Sequence, residues 1–180
     1  MNRRLRITCL LLCTCNRAPQ FQSMDGGEGI ASDMIEFVAA HNAARARAAP
    51  AANPVLPVMA WDDNAAQIAS NYAQQCTFLH NPNRGALGEN LFAAAGTDLT
   101  PTQVVGNWEG ESQFYDYAAN SCQASKQCGH YTQVVWRNSI KVGCATQDCE
   151  QGSPIAGFSR WRIWVCDYSP PGNVVGQKPY

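Results

Sequence analysis

Residues 128–139 read CGHYTQVVWRNS and place His130, one of only three histidines in the chain, between a Cys-Gly pair and an apolar run. An imidazole there either packs or holds something, and the rest of the sequence bears on that choice. Downstream, residues 160–165 alternate Trp161, Ile163 and Val165 with Arg160, Arg162 and Trp164, the two-residue period of a strand. Ile140, Val142, Cys144 and Thr146 alternate in the same way with Lys141, Gly143 and Ala145. The two runs are predicted to pair as an antiparallel hairpin.

Upstream the period is helical. A helix from Ser32 or Asp33 would put Met34, Ile35, Val38, Ala39 and Asn42 on one face and stop before Pro50. A connection carrying Pro50, Pro54 and Pro57 follows, and residues 55–61 predict a short strand. Asp62 is placed to cap a second helix reaching Gln75, with Ala65, Ala66, Ile68, Ala69, Tyr72 and Ala73 as its stripe. The third helix has the clearest start: Thr100 as cap, Pro101 at the first helical position, and Gln103 completing a capping box. It should run to about Glu111, with Val104, Val105 and Trp108 turned inward and Glu111 one turn beyond Trp108. Helices first, strands last and a sheet too small to stand alone predict an α+β domain in which helices cover the sheet.

At 180 residues and 46% hydrophobic composition the chain suits a single globular domain. Residues 1–15 carry Arg3, Arg4 and Arg6 ahead of an apolar run too short to span a bilayer. They read as an export leader over residues 1–18, cut between about residues 15 and 24, followed by a Gly-rich flexible lead-in over 19–32 and the domain over 33–180. Three of the nine cysteines lie in the leader, leaving Cys76, Cys122, Cys128, Cys144, Cys149 and Cys166, an even set consistent with three disulfides outside the cell. Six cysteines allow fifteen pairings, and no Cys-x-x-Cys pair of a zinc ribbon remains among them. Leader removal takes four of the 13 basic residues and leaves 9 against 14 acidic ones. That balance speaks against nucleic acid and anionic membrane surfaces, which clustered Lys and Arg capture. No transmembrane segment is expected.

Of the three imidazoles, His41 sits inside the first helix and reads as a buried structural histidine. His80 follows Cys76 by four residues and His130 follows Cys128 by two. A bridge at each cysteine would pin each ring in advance, which lowers the entropic cost of holding a ligand. Glu89, in the otherwise uncharged GENLF of residues 88–92, and Glu111 are the candidate acids. Glu111 is preferred to Glu109 because it falls one turn from Trp108 on the same face. A hydrogen-bonded structural acid or a helix-surface acid fits either position equally well.

CGHYTQVVW at 128–136 and WVCDYSPPGN at 164–173 resemble the two signatures of the CAP superfamily: cysteine-rich secretory proteins, antigen 5 and pathogenesis-related class 1. VAAHNAARA from Val38, WDDNAAQIASNYA from Trp61, GENLF and the closing GQKPY are similar to the plant class 1 branch, in family order. The resemblance covers residues 33–180 and implies a three-layer α-β-α sandwich. It implies that His80, Glu89, Glu111 and His130 correspond to the family's cleft, where the two histidines can hold a divalent metal ion such as zinc, with no other cofactor. It also implies the pairing Cys76–Cys149, Cys122–Cys128 and Cys144–Cys166. One departure is Asp167, where the second signature usually has Asn before its tyrosine. Another is Asn81-Pro82 after His80, in a long connection to Glu89.

Three functions follow as expectations. The first is a secreted defence protein, in the apoplast or vacuole of a plant, binding sterols or other apolar molecules of a fungal or oomycete surface as a monomer. Phe114, Tyr115 and Tyr117 would supply the ligand-binding aromatic surface. The second is a precursor releasing residues 170–180, PPGNVVGQKPY, as a signalling peptide. The third is a metal-dependent hydrolase on the His/Glu cleft. The sequence shows no nucleophile with an adjacent base, so a non-enzymatic role is favoured over catalysis.

Overall fold

The computed structural model describes residues 25–180. The leader and the start of the lead-in lie outside the described residues. Helix α1 spans Asp25–Ala46, so residues 25–31, read from sequence as lead-in, form its first turns. Three glycines there obscure the helix, each lowering propensity by about 1 kcal/mol, but a nucleated helix extends at the gain of one backbone hydrogen bond per residue. The buried face also differs from the sequence expectation: Phe37, Ala40, His41, Ala44 and Arg45 point inward, while Ile35 is 65% exposed. Polar His41 and Arg45 occupy core positions, which shifts the apparent phase of the apolar stripe.

Arg45 explains the next element. Its guanidinium donates to the carbonyls of Pro57, at 3.1 and 2.9 Å, of Val134 at 2.9 Å and of Trp136 at 2.8 Å. Burial, and then the charge of Arg137, lower its pKa to about 10. This clamp and proline's missing N–H hold residues 55–59 out of the sheet, and β1 shrinks to Ala60–Trp61. Helix α2, Asp63–Ala73, starts where Asp62 Oδ1 accepts from the N–H groups of Asn64 and Ala65 at 3.0 and 3.1 Å. Strand β2 is Gly88–Ala94. Helix α3, Pro101–Glu109, carries the Thr100/Gln103 capping box and continues as a tight 3-10 turn over Gly110–Phe114. A two-stranded ladder of β3, Tyr115–Asp116, and β4, Ser121–Cys122, precedes α4, Gly129–Val134. The chain then lays down β5, Lys141–Cys149, and β6, Trp161–Ser169.

The main sheet has the order β1-β5-β6-β2, antiparallel except for the parallel β1/β5 pair. On one face α2 packs its Ala69, Tyr72 and Ala73 with Leu91, Trp161, Ile163 and Val165. On the other, α1, α3 and α4 pack Phe37, Trp108 and Val134 with Trp164, Cys166 and Tyr168. The result is a three-layer α-β-α sandwich. Because both faces are covered, β6 is apolar on both sides, and Trp164, set against Ile163 in the alternation, is as buried as its neighbours.

Three disulfides cross-link the chain: Cys76–Cys149 ties the segment after α2 to the end of β5, Cys144–Cys166 joins paired residues of β5 and β6, and Cys122–Cys128 closes a short loop just ahead of α4. Each is worth ~2–4 kcal/mol.

Candidate functional site

Glu111 lies in the tight turn that follows α3, and its carboxylate reaches α4. Oε1 stands 2.6 Å from His130 Nδ1, and Oε2 accepts from the backbone N–H groups of His130 and Tyr131 at 3.0 and 3.1 Å. First-turn N–H groups have no partner inside their own helix, so Glu111 acts as a remote cap whose charge also suits the helix N-terminus. The imidazole lies over Trp108, with ring centroids 6.2 Å apart and planes 25° from parallel. Glu109, two residues earlier, points elsewhere and forms a two-point ion pair with Arg47 at 2.6 and 2.7 Å.

Glu89 is the second residue of β2. Its Oε1 stands 2.7 Å from His80 Nδ1 and accepts from the Asn81 N–H at 2.9 Å. The loop is held by Arg84, which donates to Asn81 O at 2.7 Å and Leu87 O at 3.0 Å. The Glu89 side chain is fully buried whereas that of His80 is 58% exposed. Directly across the ladder from Glu89 stands Asp167. Glu89 Oε2 and both carboxyl oxygens of Asp167 are buried with no hydrogen-bond partner in the protein. Burial, and then the Glu89 charge, raise the Asp167 pKa to about 8 against an opposing pull from Arg84. Asp167 is therefore largely a neutral acid at pH 7.

The structure thus groups the four residues as two His–Glu pairs. Alternation along β2 sends Glu89 to the α2 face with Leu91, and Asn90 to the opposite face. There Asn90 Nδ2 donates to His130 O at 3.1 Å and to the Tyr168 hydroxyl at 3.0 Å. His41 continues this buried chain: Nδ1 donates to Phe37 O at 2.8 Å, so Nε2 accepts from the Tyr168 hydroxyl at 2.9 Å. Burial, first of all, lowers the His41 pKa to about 4, which fixes the neutral ring that this pattern requires. His41 is structural.

Carboxylates occupy Nδ1 of both site histidines, an arrangement that orients imidazoles toward a metal through Nε2. Among the described residues no three His, Cys, Asp or Glu side chains converge as metal donors. A divalent ion here would have to be held by the two imidazoles alone, with water completing its shell.

The aromatic residues singled out in the sequence lie together beyond Glu111, half-buried. Lys126 Nζ sits 4.6 Å from the Phe114 ring. The Tyr115 hydroxyl donates to Asn120 Oδ1 at 2.6 Å, and its ring lies 6.0 Å from that of Tyr131. Tyr117 stacks on Tyr180 with centroids 4.7 Å apart. Asn90, Tyr131 and Tyr180 lie within the quoted motifs GENLF, CGHYTQVVW and GQKPY, but nothing there singles them out as site residues. Asp167 stands out as the departure from the second signature.

The three-layer α-β-α sandwich with its three disulfides is the architecture of a CAP-type domain. Residues 38–168 match the CAP, cysteine-rich secretory protein family, and the chain belongs to that family. It is similar to pathogenesis-related protein 1B of Nicotiana tabacum, 40% identical over 149 residues that cover 81% of this chain and 79% of the relative. It is also 44% identical over 142 residues to peptidase inhibitor 16 of Mus musculus; the match covers 78% of this chain but only 28% of that longer protein. Among solved structures it resembles NaASP2 with Zn2+, at a TM-score of 0.64 and 27% identity over 84% of this chain and 87% of that one. Among the described residues no helix is long and apolar enough to cross a membrane.

Proposed function

We propose that the chain is a secreted defence protein of the pathogenesis-related class 1 kind that binds sterols or related flat lipids of fungal or oomycete membranes. The observation that carries this reading is the aromatic group Phe114, Tyr115 and Tyr117 beside an open hollow of about 650 Å³. That size suits a small apolar ligand, and aromatic faces are what such ligands pack against. Similarity to the tobacco protein supports the defence role. Binding of ergosterol by the purified protein, set against a Tyr115→Ala/Tyr117→Ala variant, tests it: the variant is expected to bind at least about tenfold more weakly, a loss of about 1.4 kcal/mol. No binding by either protein removes the proposal.

Two companion readings rest on separate observations. Pro170 and Pro171, directly after the end of β6 at Ser169, are exposed, which favours a cut at that junction by a protease that would free 170–180 as a peptide. Mass spectrometry of fluid bathing cells that express the protein should find that peptide, and its persistent absence counts against release. A metal-assisted hydrolase would use the Nε2 atoms of His80 and His130, left free by the carboxylates at Nδ1, with an ion there supplying Lewis acidity. Loss of a hydrolytic activity in a folded His130→Ala variant is the result this alternative requires.

A further inference from the structure

The outer edge of β5 is open along most of its length. Strand β1 pairs only with Lys141 and Val142, and among the described residues the bond from Asp62 N to Val142 O, at 3.0 Å, is the last backbone bond on that side. Backbone polar groups alternate in direction along a strand, so Cys144 and Thr146 point theirs the same way as Val142. A second distance agrees: Cys144 and Cys166 stand opposite each other in the β5/β6 ladder with Cα atoms 4.1 Å apart, the close spacing of partners that exchange no backbone hydrogen bonds. The N–H and C=O groups of Cys144 and Thr146 therefore face away from β6, where no strand among the described residues continues β1 to meet them. Gln147 Nε2 donates to Asp148 O at 2.8 Å and closes the far end of the row.

This edge is recessed. It floors a slot of about 540 Å³ between α1 and α2, with Met34 and Phe37 on one wall, Ala66 on the other and Trp61 at the end where β1 stops. Side chains of a strand laid on that floor would alternate between the walls, apolar ones toward Met34 and Phe37 and small ones toward Ala66. Asp33 on α1 and Asp63 on α2 also line the slot, both exposed, and among the described residues no Lys or Arg does. The shape and the charge argue against a second copy of the chain as occupant. Two edges each sunk between helices cannot close to the ladder spacing of about 4.8 Å, and the four aspartates brought together would repel. A single thin strand with positive charge fits both features.

We propose that the slot is a peptide-docking site, in which a partner protein adds an extended segment of about five residues beside β5 as a fifth strand of the main sheet, its apolar residues flanked by Lys or Arg. Cys144 and Thr146 offer two donors and two acceptors to the main chain of the segment, which supplies affinity. The walls and the two aspartates supply selection. The slot lies at the opposite edge of the sheet from β2, which carries Glu89, so this site is separate from the His–Glu pairs.

The test is amide hydrogen exchange of the nitrogen-15-labelled protein with two synthetic probes, acetyl-Lys-Val-Thr-Val-Lys-amide and acetyl-Glu-Val-Thr-Val-Glu-amide. In millimolar excess the lysine peptide should slow exchange of the Cys144 and Thr146 amides at least about tenfold, and leave the Ala145 amide, which faces β6, within about twofold of its free rate. It should bind about tenfold more tightly than the glutamate peptide, and that preference should vanish in an Asp33→Asn/Asp63→Asn variant. Unchanged exchange at Cys144 and Thr146, equal affinity for the two peptides, or persistence of the preference in the folded variant overturns the proposal. Should the variant fail to fold, the exchange pattern of the wild type decides. Slow exchange of both amides before any peptide is added overturns it as well, because a second copy or the residues before Asp25 would then already fill the slot.

Discussion

The two His–Glu pairs differ in how completely their acids are satisfied. Glu111 accepts from an imidazole and two helix N–H groups, so both of its carboxyl oxygens are paired. Glu89 accepts from one imidazole and one N–H, leaves an oxygen unpaired, and faces a second carboxyl that is also unpaired. The first pair is a joint that locks α4 onto the turn after α3. The second holds an exposed imidazole over a buried acidic couple. The same residue types thus serve as structure in one place and as a poised, under-satisfied group in the other.

Breaking the bridge beside each pair should separate them most. Cys76–Cys149 closes 73 residues of chain and Cys122–Cys128 only 6. By loop entropy, removing the first should lower stability by about 4 kcal/mol and the second by about 2 kcal/mol, measured by urea unfolding of the double-Ala variants. The acids come next. Glu111→Ala strands three donors and should cost about 3 kcal/mol, whereas Glu89→Ala strands fewer and relieves Asp167, so its loss should stay near 1 kcal/mol or below.

Asp167→Asn sharpens the contrast through pH. The folded-state pKa of Asp167 is raised, so the folded protein binds the proton more tightly than the unfolded chain, and stability falls as pH rises from about 4 towards 8. The Asn variant lacks this loss. It should match the wild type near pH 4 and exceed it progressively as pH rises, by up to about 5 kcal/mol at pH 8, read from melting curves across that range. Glu109→Ala should change least. Its partner Arg47 is 61% exposed, and water screens the pair, so the expected effect is within about 0.5 kcal/mol.

Much of this was legible in the sequence because it is written in local chemistry. The Asp62 cap and the Thr100/Pro101/Gln103 start mark helices through backbone bonding that any context would need. The β5/β6 hairpin showed its period. Strand β2 did not, since GENLFAA is buried on both faces along most of its length and lacks alternation. The phase of α1 was hidden because His41 and Arg45, polar by type, are satisfied inside by partners up to 127 and 92 residues away. At the site, residue types and spacing pointed to His80, Glu89, Glu111 and His130, but their division into pairs depends on which face of β2 each acid meets. The contact of Tyr180 with Tyr117, 63 residues apart, was likewise beyond any local pattern.

The unequal satisfaction of the two acids is tested most directly by carbon-13 NMR titration of the carboxyl groups, with Asp167 assigned through its Asn variant. A midpoint near 8 for Asp167 is predicted, with the resonance lost in Asp167→Asn. A midpoint in the ordinary aspartate range near 4 would show that its carboxyl is solvated or paired, and would contradict the account.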